Sequence, residues 1–126
     1  MIKILMTLIV GIILLILIFF YFFPIIKICG DSMHPTLKDG EFYLGRRVFN
    51  KNTCRRGEIY VYKPPVSTTK EKHEFVVKRL ENIRYRTNGI TYFFVGDNSE
   101  VSYDSRYYGY VDSSNVVAHI ILRKEV

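Results

Sequence analysis

This sequence predicts a mainly antiparallel β domain behind one membrane-spanning helix, and three observations carry that prediction. Residues 4–23 hold no charge and are nearly all Ile, Leu, Phe or Val. Five later segments, 41–45, 58–62, 74–80, 90–95 and 116–122, are short and rich in aromatic and β-branched residues, the composition of strands. After residue 24 no stretch repeats its apolar residues at helical spacing, and no internal repeat occurs.

The apolar run comes first. At 1.5 Å per residue it reaches about 30 Å, the thickness of a bilayer core. Only Thr7 and Gly11 interrupt it, and a helix tolerates both. Pro24 ends it, and the aromatic residues 19–23 form a band suited to a membrane interface. A cleaved secretory signal would need small residues at the exit, whereas here the chain reads Phe23-Pro24-Ile25-Ile26. Cys29 invites a lipoprotein reading, but bulky Ile28 stands where a small residue would be wanted. The expected division is therefore a flank at 1–3, an uncleaved anchor at 4–23 and one folded domain at 24–126. Lys3 flanks one end of the anchor and Lys27 and Lys38 the other, so charge does not decide its orientation.

The strands follow in order. Asp39-Gly40 opens 41–45, and Arg56-Gly57 opens 58–62, which Pro64-Pro65 terminates. In 74–80, alternation puts Phe75, Val77 and Arg79 on one face and Val76, Lys78 and Leu80 on the other. The turn signal Asn88-Gly89 precedes 90–95. Two polar loops, 30–37 and 96–109, lie between these apolar elements, and chemistry is sought on such loops.

Composition narrows the function classes. The net charge of +6 is spread along the chain, and no zinc spacing or RNA-binding signature accompanies it. A solvated basic surface beside anionic lipid explains it better than a nucleic-acid partner. Cys29 and Cys54 allow one disulfide at most, and spacing does not say whether they meet. His34, His73 and His119 are scattered, without metal-ligand spacing.

A serine hydroxyl is a weak nucleophile until a base takes its proton. Ser32 follows Gly30-Asp31, where glycine permits close approach of a substrate backbone. His34 is too near in the chain to align as its base, and His73 and His119 stand in no supporting motif. A lysine can replace histidine if it is kept uncharged by apolar burial. Lys78 has the apolar surroundings for this, between Val76 and Leu80 on its strand face. It would serve equally as the end of an edge strand.

A family resemblance separates these readings. GDSMHPTL (residues 30–37) resembles the nucleophile box of bacterial type I signal peptidases, RRGEIYVYKPP (55–65) their second box, VVKRL (76–80) the general-base box and GDNSEVSYDSRYYG (96–109) the last. The resemblance implies a serine endopeptidase fold shared with self-cleaving repressor proteases, with Ser32 as nucleophile and Lys78 as base. Gly30, Asp31, Met33, Arg79, Gly96, Asp97 and Asn98 would support them within the boxes. Ser102 would hydrogen-bond the lysine, and Asp104 and Arg106 would form an ion pair bracing the site. Shallow apolar pockets involving Met33, Phe75 and Val76 would take small side chains. The implied substrates are exported precursors with signal peptides, no metal or organic cofactor is called for, and the implied setting is a bacterial cytoplasmic membrane with the domain on its extracytoplasmic face. Two features depart from larger members. Gly30 stands where many carry a hydroxyl that donates to the oxyanion, and only residues 81–95 separate the last two boxes. The alternative is a non-catalytic assembly factor for a pilus or secretion system, although such a protein would be expected to lose the serine or the lysine.

Overall fold

The uncharged run folds as one helix, α1 (Ile2–Phe22), in a computed structural model that describes residues 1–65 and 74–121. None of its residues is buried by the rest of the chain, and with a mean hydropathy of 3.1 it is long and apolar enough to cross a membrane. Thr7 is accommodated by donating its hydroxyl to the Lys3 carbonyl, 2.8 Å away. The Phe23 N–H still bonds back to Phe19, and Pro24, which lacks an N–H, ends the ladder.

Seven strands follow: β1 (Ile25–Lys27), β2 (Phe42–Arg47), β3 (Ile59–Tyr62), β4 (Val76–Arg86), β5 (Gly89–Val95), β6 (Val111–Asp112) and β7 (Val116–Ile120). They form one sheet in the order β1-β2-β7-β3-β4-β5-β6, with every pairing antiparallel. The mainly antiparallel β fold expected from the sequence is therefore the fold observed. Its other helical turns among the described residues are short: Ser99–Val101, α2 (Ser105–Tyr108) and Ser113–Asn115.

β3 explains how so short a chain builds a core. All four of its residues are buried, and alternation sends them to opposite faces. Tyr60 and Tyr62 join Val76, Leu80, Tyr92 and Phe94 on one side, where the Tyr62 and Phe94 rings stack 4.1 Å apart. Ile59 and Val61 join Ile28, Met33, Leu37, Ala118 and Ile120 on the other. A bulge in β7 serves both clusters. Val61 pairs with Ala118 but Tyr62 pairs with Val116, so skipping Val117 puts Val116 on the tyrosine side.

Several boundaries differ from the expected ones. The strand expected at 74–80 continues to Arg86, paired with β5 through the Asn88-Gly89 turn and broken by an irregularity between Leu80 and Asn82. That extension is exposed on both faces apart from the half-buried Ile83, so no alternation marks it in the sequence. β2 runs on to Arg47 because Gly45, Arg46 and Arg47 pair with Ile120, His119 and Ala118 of β7, while Gly45 leaves room for the Ile26 side chain, whose Cδ1 lies 2.5 Å from where a Cβ would stand. β1 and β6 are too short to carry a pattern. The residue expected to end the last strand, Leu122, lies outside the described residues. Cys29 is exposed, Cys54 is buried, and both are free thiols.

Candidate active site

The loop bearing Ser32 is held from below by its own apolar residues. Met33 and Leu37 are 1% and 0% exposed, in the core beside Ile59 and Ile120. The Leu37 N–H closes the turn onto the Met33 carbonyl at 2.9 Å, and the Gly30 N–H donates to Asp39 Oδ1 at 2.8 Å. Gly30 adopts φ +94°, a backbone conformation that side chains disfavour. With its neighbours pinned, Ser32 is presented to a cleft of about 610 Å³.

Lys78 enters that cleft from β4. Val76 and Leu80, on the same strand face, anchor it in the core, and Lys78 itself is only 4% exposed. Its Nζ stands 2.8 Å from Ser32 Oγ. A hydroxyl and a buried amine are thereby in direct hydrogen-bonding contact, the arrangement that proton transfer between them requires.

The loop after β5 holds the serine loop in place. The Asn98 N–H donates to the Ser32 carbonyl at 2.8 Å, the Asn98 side-chain amide to the Asp31 carbonyl at 3.1 Å, and the Asp97 N–H to the Met33 sulfur at 3.4 Å. Gly96 lies where the loops touch. A Cβ there would come within 2.1 Å of Ser102 Oγ and 2.7 Å of the Ser32 carbonyl, so only glycine fits.

Asp104 organises the far wall. Fully buried, it accepts from the Gly96 N–H at 2.8 Å and the Ser102 hydroxyl at 2.7 Å, and Arg106 grips both carboxylate oxygens at 2.8 Å. Burial by itself would raise its pKa, but the donors from Arg106, Gly96 and Ser102 outweigh it and bring it down to about 2. The family resemblance assigns Ser102 to the lysine. Here its proton is directed to Asp104, which leaves the hydroxyl oxygen able to accept from an amine.

A second ion pair was not anticipated from the sequence. Arg79 and Asp97 make two parallel hydrogen bonds of 2.8 and 2.7 Å. Arg79 also donates to the Gly57 carbonyl at 2.5 Å, and the Thr36 hydroxyl to Asp97 at 2.5 Å. Burial would raise the Asp97 carboxyl, but Arg79 and Thr36 hold it below the usual carboxylate range. This pair ties β4, the serine loop and the loop after β5 together. Its only sequence signal was alternation, which turns Arg79 away from Lys78, and the pairing of Arg79 with Val95 then brings Asp97 alongside.

The three residues expected in the pocket, Met33, Phe75 and Val76, all line the cleft. Ile28, Cys29, Val101 and Tyr103 line it too and were not foreseen. Met33 and Val76 form a buried apolar floor, while Phe75 remains 44% exposed at the edge. His119 lies elsewhere, stacked on Tyr60 and 3.1 Å from Glu58. His73 lies outside the described residues. Among the described residues no group of three His, Cys, Asp or Glu side chains could hold a metal ion.

The family model described as signal peptidase, peptidase S26, matches residues 1–83 and 86–124. The chain belongs to this peptidase family. A comparison with curated proteins finds no match.

Proposed function

We propose that the protein is a membrane-anchored serine endopeptidase that removes signal or leader peptides from exported precursors through a Ser32–Lys78 dyad. The observation carrying this reading is the 2.8 Å contact between Lys78 Nζ and Ser32 Oγ in a cleft, with the lysine buried. Burial disfavours the ammonium form, and an uncharged amine can accept a proton.

In the proposed reaction Lys78 takes the Ser32 proton as the hydroxyl oxygen attacks the scissile carbonyl. The tetrahedral oxyanion collapses, the C–N bond breaks, and the lysine proton passes to the departing amine, leaving an ester on Ser32. Lys78 then deprotonates a water molecule, which hydrolyses the ester to a carboxylate and regenerates the serine. Gly30 supplies no hydroxyl to the oxyanion, and its N–H is engaged by Asp39, so the Ser32 N–H is assigned as a donor. The buried floor of Met33 and Val76 suits small side chains next to the scissile bond. In this reading α1 anchors the protein in a bacterial cytoplasmic membrane, with residues 24–126 on the extracytoplasmic face. Enzyme and precursor in one bilayer then meet at raised effective concentration.

The test is cleavage of labelled precursors by the full chain, with the cut sites mapped by mass spectrometry. Cleavage just beyond the precursor's membrane segment is expected, and Ser32→Ala and Lys78→Ala should each abolish it while His34→Ala leaves it nearly intact. Substantial processing by the Lys78→Ala protein would refute the mechanism.

A further inference from the structure

We infer that Arg47 and Phe49 clamp the last turn of α1 to the sheet and so fix the height of the cleft above the bilayer, making the enzyme select precursors by the spacing between their membrane segment and scissile bond. This rests on the peptidase function proposed above. The carbonyls of a helix's last turn lack partners within the helix and attract cations. Arg47 answers both needs. Its Nε donates to the Tyr21 carbonyl at 2.8 Å, and its guanidinium lies 4.7 Å from the centre of the Tyr21 ring. Phe49 packs against the same turn, its ring 5.6 Å from that of Phe22 and 6.3 Å from that of Tyr21. These residues belong to the aromatic band where α1 would leave the membrane.

No slack follows the clamp. The Pro24 carbonyl accepts from the Gly45 N–H at 2.8 Å, and Ile25, Ile26 and Lys27 pair with Leu44, Tyr43 and Phe42. Ile26 occupies the space that a side chain at position 45 would need. The Ile28 N–H donates to the Glu41 carbonyl at 2.9 Å, and its carbonyl accepts from Gly40 at 2.8 Å. The segment from Pro24 to Ile28 is thus fixed to the sheet, so α1 can tilt only at its junction around Phe23, where Arg47 and Phe49 hold its last turn. A precursor helix in the same bilayer is referenced to the same surface. Each extended residue beyond it advances the scissile bond by about 3.3 Å. Two extra residues displace that bond by roughly 7 Å, well past attacking distance.

The test uses the full chain in bilayer nanodiscs. Spin labels on Leu15→Cys and Tyr85→Cys, with Cys29→Ser to remove the exposed native thiol, should give a narrow distance distribution that broadens in the Arg47→Ala/Phe49→Ala protein. A broad distribution without those substitutions overturns the clamp whatever the activity. In parallel, precursors with zero, two, four or six residues inserted before the cut site are compared with a short soluble peptide. The unsubstituted enzyme should prefer one spacing by about tenfold, a modest share of the ~100-fold that a 1 Å misplacement can cost. The double variant should lose that preference while its kcat/KM on the soluble peptide stays unchanged, and Phe49→Tyr should retain the preference. Identical spacing profiles in the two proteins, or a parallel loss on the soluble peptide, would overturn the inference. A narrow distance distribution without cleavage of any substrate would leave the clamp standing, and would overturn the spacing claim together with the peptidase function.

Discussion

At the scale of single residues, the site depends on atoms that leave no room for substitution. Gly96 is the sharpest case, since a methyl group there meets Ser102 Oγ and the Ser32 carbonyl at once. Gly96→Ala should cost about 1–3 kcal/mol by overpacking, read as a lowered urea midpoint in detergent. It should also reduce precursor processing by about 100-fold through displacement of Ser32. Asp104 yields a prediction in pH. Its carboxyl has a pKa of about 2 when folded, below its unfolded value near 3.8. A depressed folded pKa stabilises the protein fully above the unfolded value, and that stabilisation is lost as pH falls through the folded one. The loss should amount to about 2 kcal/mol between roughly pH 4 and pH 2. An Asp104→Asn protein should be less stable at pH 7 and show a shallower decline over that interval in denaturant titrations. A decline as steep as that of the unsubstituted protein would remove Asp104 as its source. These contacts were only partly legible in the sequence. The family boxes point to Ser32, Lys78, Asp104 and Arg106, but Arg79 meets Asp97 only because β4 and β5 pair in one particular register. A side chain's partner across a sheet depends on that register, which linear spacing does not encode.

At the scale of elements, β4 contains both the most and the least readable stretches of the chain. In 76–80 a period of two is plain because one face is packed against the core, and the lysine is carried on that face. In 81–86 only Ile83 is partly covered, so the other side chains face solvent and their composition carries no pattern. Substitutions should follow the same division. Leu80→Ala, at a fully buried position, should destabilise by about 2–5 kcal/mol. Tyr85→Ala, at a position 75% exposed, should stay within about 0.5 kcal/mol. Comparable losses at both positions in thermal or urea unfolding would contradict the assignment of the core. β1 was missed for another reason. Its three residues become a strand only by pairing with β2, where Gly45 makes way for Ile26.

At the scale of the whole molecule, a seven-stranded sheet is enough to bring two distant loops and one strand around a single cleft. The first helix, the antiparallel fold and the family were legible because each depends on composition or on a contiguous box. The cleft's further walls, Ile28, Cys29, Val101 and Tyr103, come from two separate stretches that only the folded sheet brings together. The central claim is that the amine of Lys78 activates the hydroxyl of Ser32. It is tested most directly by the rate at which a serine-acylating inhibitor labels the full chain and its Lys78→Met variant, the adduct being located by mass spectrometry. Methionine fills similar apolar volume without a base. The adduct is expected on Ser32 and should form about a thousandfold more slowly in the variant, the scale of a lost general base. Equal labelling rates in the two proteins, or an adduct on another residue, would contradict it.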